Sequence, residues 1–129
     1  DLGAKLFPSV FLTDVVDAND GMDFRFRLTG ISNARLIGIA PGGRLASDIF
    51  VKDRRRFMMA GNRDTVTKRA VKLRYGRTSG GRRASRLVFH GLFPLAPDGT
   101  HVDILLGIRK PAIMHPIEER ALAVRAHAI

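Results

Sequence analysis

Hydrophobic and polar positions alternate most clearly in the last third of the chain. From Arg83 to Lys110 the sequence predicts two long apolar strands closed by a Pro97-Asp98-Gly99 turn, in which Gly99 can take positive φ and Asp98 tolerates it. Val102, Ile104, Leu106 and Ile108 recur every second residue, which puts them on one face of a sheet. A second alternation runs from Asp23 to Thr29: Phe24, Phe26 and Leu28 point one way, and Asp23, Arg25, Arg27 and Thr29 the other. The apolar, β-branched stretch Ser9 to Val16 precedes it across the turn cluster Asp17 to Gly21, so the two predict a first hairpin.

Between the hairpins the period changes. Residues Gly30 to Gly38 read as one or two helical turns that Ser32 or Asn33 could cap, and Pro41-Gly42-Gly43 ends them before another brief turn at Leu45 to Ile49. Asp53 to Lys68 is the strongest helix, since Phe57, Ala60 and Gly61, or Met59 and Val66, fall at helical spacing. Ala70 to Arg77 predicts a third strand, with Val71, Leu73 and Tyr75 set against Lys72 and Arg74; Gly76 to Gly81 is a turn. Pro116-Ile-Glu-Glu opens a C-terminal helix with a narrow apolar stripe of Ile117, Ala121, Val124 and Ala128. The expected fold class is α+β: a five-stranded antiparallel sheet with short helices and one longer helix on one face, plus a C-terminal helix.

Charge sharpens this picture. The 129 residues carry 22 Lys and Arg against 12 acids, a formal charge of +10. Thirteen of the bases lie between Lys52 and Arg86, against only Asp53 and Asp64, so the middle of the chain holds the excess. Such a field attracts acidic proteins, anionic ligands or nucleic acid; an ordinary solvated surface is the plainer reading. There is no cysteine, which removes disulfides, thiolate nucleophiles and Cys-type zinc sites. No apolar run reaches a membrane span, and the expectation is a soluble, cytoplasmic domain.

Val10-Phe-Leu-Thr-Asp-Val-Val, Phe24-Arg-Phe-Arg-Leu-Thr-Gly-Ile31 leading to Gly38, Gly43-Arg-Leu, and Phe93-Pro-Leu-Ala-Pro-Asp-Gly-Thr-His-Val-Asp-Ile-Leu-Leu-Gly107 resemble the PAS domain. They are similar in particular to a bacterial family of short, nearly stand-alone PAS proteins, over roughly Leu6 to Lys110. The resemblance implies sensing or protein interaction rather than turnover, a small pocket between sheet and helices, and frequent homodimers. It divides the chain into a sensory domain, 1–110, and a C-terminal linker and helix, 111–129. A flavin–cysteine adduct or a covalently held chromophore would need a thiol that is missing, and haem would need a histidine in the Asp53 to Lys68 helix, which has none. The cofactor is thus unknown, with non-covalent flavin, a small carboxylate, a fatty acid or an empty packed core left open.

The candidate ligand pocket comprises Phe26, Leu28, Phe57, Met58, Leu73, Tyr75, His90 and Leu106. His90 could line it or titrate near neutrality, while a structural or outward-facing histidine is the commoner arrangement. Arg54, Arg55 and Arg56, with Arg82, Arg83 and Arg86, form the candidate anion or partner surface, because guanidinium forks suit carboxylate and phosphate. Few aromatics are free to stack on bases, so an acidic protein or small anion is favoured over nucleic acid, and a basic nucleic-acid- or nucleotide-binding domain is the alternative function. The four histidines show no metal spacing, and both glutamates, Glu118 and Glu119, lie in the C-terminal helix. No catalytic motif is present; an isomerase-like cone built on Asp14, Asp103 or His90 ranks last.

Overall fold

The computed structural model describes residues 5, 7–19, 21–38, 40–77 and 87–111. After a 3₁₀ turn at Phe7–Ser9 the elements are β1 (Val10–Ala18), β2 (Gly21–Thr29), α1 (Ile31–Ile37), α2 (Ala46–Ile49), α3 (Lys52–Lys68), β3 (Lys72–Arg77), β4 (Leu87–Leu95) and β5 (Ile104–Pro111). The strands form one antiparallel sheet in the order β2-β1-β5-β4-β3. This is the expected α+β architecture. The expected C-terminal helix, the Gly76 to Gly81 turn beyond Arg77, and Arg82, Arg83 and Arg86 lie outside the described residues. Among those that are described, no helix is long and apolar enough to cross a membrane.

The helices cover one face of the sheet. Phe11, Phe24, Phe26, Leu92 and Leu105 from the strands pack with Ala46, Phe50, Met58 and Met59 from α2, its C-terminal boundary and α3. Burial of apolar area of this kind is the main favourable term for the fold. Short α2 is fixed from the sheet side: the Asp23 carboxylate accepts from the Ser47 hydroxyl and from the Ser47 N–H at 3.3 Å, and its own chain's Phe24 N–H at 2.7 Å. A buried carboxylate thereby satisfies a donor at the helix start. Helix α3 leaves at Arg69, which adopts φ 54°, and its N–H bonds Val66 O.

Several local expectations are corrected. Gly30, not Ser32 or Asn33, stands at the N-cap of α1, and no side chain caps it; Asn33 is instead fully buried. The Pro97-Asp98-Gly99 turn is as expected, with Gly99 at φ 78° and Asp98 accepting from Thr100 N and His101 N. On β2 the register slips between Leu12 and Thr13, so that Leu12 faces Leu28 and Thr13 faces Phe26. Arg27 is the extra residue of this bulge, and it turns Leu28 away from the face shared by Phe24 and Phe26.

Candidate functional site

Cross-strand register decides what lies beneath α3. Arg74 on β3 pairs with His90 on β4, and His90 pairs with Arg109 on β5. Directly paired residues share a face, so these three side chains form one row across three strands. It is the helix-covered face, because Leu92 and Leu105, two or four residues along, belong to the core. His90 is 6% exposed and Arg109 5%. A row of two guanidiniums and an imidazole thus runs through what hydropathy alone would assign to apolar packing.

The Phe11 ring organises the row. It stacks on His90 at 6.1 Å between centroids, and the Arg109 guanidinium lies 5.5 Å from its centre. Gly107 makes this possible: a Cβ there would collide with the Phe11 ring itself. At the other end Arg74 lies 4.3 Å over the Phe57 ring, and its Nη2 is 3.7 Å from Met58 Sδ. Gly61 of α3 leaves room for it, since a Cβ would stand 3.0 Å from Arg74 Nη1. Phe57 itself is 59% exposed, so it roofs Arg74 from the surface instead of entering the core.

Electrostatics fix the protonation of the row. Arg74 Nε donates to His90 Nδ1 at 3.2 Å. Burial, reinforced by Arg109, Arg74 and Lys72, holds His90 down at about 2, so the ring is neutral at physiological pH. With Nδ1 accepting, the ring proton resides on Nε2. That Nε2 is buried with no hydrogen-bond partner among the described residues, and so is Arg109 Nη1. Loss of solvent, then the nearby Arg54 and Arg74 charges, push Arg109 down to about 9. No carboxylate pairs with Arg74 or Arg109 among the described residues. Buried ions are ordinarily paired, so this arrangement is exceptional.

A second basic feature lies at the surface. Arg55, Arg56 and Arg63 line a cleft of about 310 Å³ with Asp23, Ser47, Met59 and Ala60. Arg55 Nε donates to Phe50 O and Arg63 Nε to Met22 O, both at 3.0 Å. Arg54 is not part of this cleft; it lies 5.6 Å from the Phe50 ring and on the Arg109 side.

The eight residues expected to form one pocket separate across the sheet. Phe26, Met58 and His90 are buried on the helix-covered side. Leu73, Tyr75, Leu106 and Leu28 sit on the opposite face, where Leu73 is 60% exposed. Tyr75 meets Phe89 edge-on at 5.5 Å, and Leu106 pairs with Phe93 and Leu12. His90 is turned inward, against the commoner outward placement. Sequence reading passed over Arg74 and Arg109, the partners that give His90 its character, because each reads as an ordinary polar strand position. Of the acid candidates, Asp14 pairs with Arg27 on the outer side and Asp103 is exposed in the β4–β5 connection. Neither approaches His90 in the register. No group of three metal-ligating side chains converges among the described residues.

At the level of sequence, no protein-family model and no curated protein matches the chain. Solved structures match in three dimensions. The light-state LOV domain of the blue-light photoreceptor Aureochrome1 superposes with a TM-score of 0.64 at 12% identity, covering 99% of this chain and 96% of that one. The PAS domain of BvgS from Bordetella pertussis gives a TM-score of 0.64 at 10% identity, with the same 99% and 96% coverage. A fungal LOV domain photoreceptor gives 0.54 at 15% identity, over 87% of this chain and 80% of that one. Sheet order, helix placement and these superpositions agree: the chain has the fold of the PAS and LOV domains.

Proposed function

We propose that the protein is a PAS-type sensory domain that acts in signal transduction without catalysis, binding a small ligand between the sheet and α3 and passing its state to the opposite face. The observation that carries this reading is a group of buried polar atoms on the helix-covered side with no hydrogen-bond partner among the described residues, including Thr13 Oγ1, Asn62 Oδ1, His90 Nε2 and Arg109 Nη1. Unpaired buried polar atoms cost about 1 to 3 kcal/mol each, and a bound molecule would offset that cost. The structural neighbours, photoreceptors and a PAS domain, support a signalling role by analogy of fold. The reading takes the role as non-catalytic, and it is supported at His90, whose imidazole, held low by burial and then by the neighbouring Arg109, Arg74 and Lys72 charges, does not serve as a general base or acid near neutrality.

The output surface in this reading is the apolar face on which Leu73 and Tyr75 are exposed beside half-buried Phe89, Phe93 and Leu106, and it pairs with a second copy of the chain. Native mass spectrometry of protein purified without additives, compared with its denatured mass, tests both halves. The expected result is a dimer whose folded form alone carries excess mass. A folded monomer of bare chain mass, with a midpoint of thermal unfolding that no member of a metabolite panel raises, would contradict the proposal.

A further inference from the structure

What the Arg74–His90–Arg109 row lacks is specific. Both unpartnered atoms, His90 Nε2 and Arg109 Nη1, are N–H donors, so the missing atom is an acceptor. Both residues are more than nine-tenths buried and are direct cross-strand partners. Their Cβ atoms therefore stand about 5 Å apart on one face. The local charge at the row is positive: Arg74 bears on Arg109, and no carboxylate pairs with either of the two among the described residues. A water molecule could accept the hydrogen bonds but would leave that charge uncompensated.

We propose that His90 Nε2 and Arg109 Nη1, walled by the Phe11 ring, bind the carboxylate of a small organic acid. This rests on the reading of the helix-covered side as the ligand site and names the class of ligand. A carboxylate offers two coplanar oxygens, one for the guanidinium edge and one for the imidazole N–H. Phe11, stacked on His90 and in contact with Arg109, presents an apolar wall to the body of the acid. Inorganic phosphate fits less well, because it brings four tetrahedrally placed oxygens and between one and two charges to a place with two free donors.

Isothermal titration of the full chain at constant ionic strength, with sodium benzoate, succinate and phosphate as probes and chloride as the background anion, tests the assignment. One carboxylate should bind per chain, with phosphate at least about tenfold weaker, as expected when a charge-assisted pair of hydrogen bonds is replaced by a poorer fit. Arg109→Met should weaken the carboxylate about tenfold or more, and so should His90→Phe, each removing one donor. Arg109→Lys, which keeps the charge but not the fork, should lose part of the affinity and covers the case in which the methionine variant does not fold. Lys110→Met, the next residue on the same strand and exposed on the other face, makes the same change of charge and should leave binding unaltered. Equal affinity of wild type and Arg109→Met, preference for phosphate, or no binding of either carboxylate would overturn the inference. Excess native mass from a neutral molecule that is retained in Arg109→Met would sink the carboxylate site and leave the sensory reading standing.

Discussion

The two faces of this sheet differ most where β3, β4 and β5 meet, because there a polar row interrupts the apolar core of the helix-covered side. The side under α3 buries His90, Arg109 and Thr13, while the opposite side exposes Leu73 and Tyr75 beside half-buried Phe89 and Phe93. A sheet optimised for stability alone would put the aliphatic residues of β3 inward and its Arg74 outward. Their exchange means that stability has been given up on both faces, through desolvated charge on one and apolar area in water on the other. Such departures concentrate where a protein meets something else. The difference is what the proposed function rests on: an inner face with unanswered polar groups for a small ligand, and an outer face with exposed apolar side chains for a macromolecular surface.

The largest break in that contrast should come from Gly107→Ala. The added Cβ would drive Phe11 off the strand and take with it the wall shared by His90 and Arg109. We expect a loss of about 3 kcal/mol in urea unfolding, at the upper end for overpacking a core. A loss below about 0.5 kcal/mol would mean that Phe11 relaxes freely and does not organise the inner face.

Changes on the outer face should act on association and leave folding nearly untouched. Leu73→Asp replaces a side chain that is mostly in water, so its effect on monomer stability should stay under about 1 kcal/mol, while light scattering should show loss of the proposed dimer. Retention of the dimer would move the interface elsewhere and remove the purpose assigned to the exposed apolar residues.

The smallest effect is a contrast between two histidines. His90, buried among arginines, should show no imidazole titration by NMR between pH 5 and 9. His101 bonds Asp98 at 2.7 Å in the exposed β4–β5 turn and should titrate above its ordinary 6.5. With a raised folded pKa, the contribution of His101 is complete below about 6.5 and is lost as pH rises through the folded value. The Asp98 carboxyl is depressed chiefly by the His101 hydrogen bond, so its contribution holds above about 3.8 and is lost as pH falls. The pair therefore supports the turn between roughly those two values, and His101→Ala should flatten that window. A His90 resonance that titrates near 6.5 would contradict the buried, neutral assignment.

These faces also explain what the sequence could and could not convey. Strand positions, the α3 span and the Gly99 turn were legible because alternation, helical spacing and turn chemistry are local signals. The orientation of β3 was not. Leu73 and Tyr75 appear core-facing by hydropathy, and only pairing with β4 turns Arg74 inward with His90. Leu28 failed for a different reason, since a one-residue bulge at Arg27 reversed its side, and bulges leave no periodic mark. The arginine surface was partly legible: Arg55 and Arg56 do share a cleft, with Arg63, whereas Arg54 lies on the Arg109 side. Arg109 was invisible as a site residue because a lone arginine at a strand end reads as solvated surface; its burial depends on Phe11, nearly a hundred positions earlier in the chain.

The most direct test of the central claim, that the inner face carries a charge awaiting a ligand, is the unfolding midpoint of Arg109→Met against wild type in buffer free of organic anions. An uncompensated buried cation is a cost that methionine removes at similar volume, so the account predicts a higher midpoint for the variant. A midpoint several degrees lower would mean that Arg109 is a structural element already satisfied within the fold, and the ligand site would have to be abandoned.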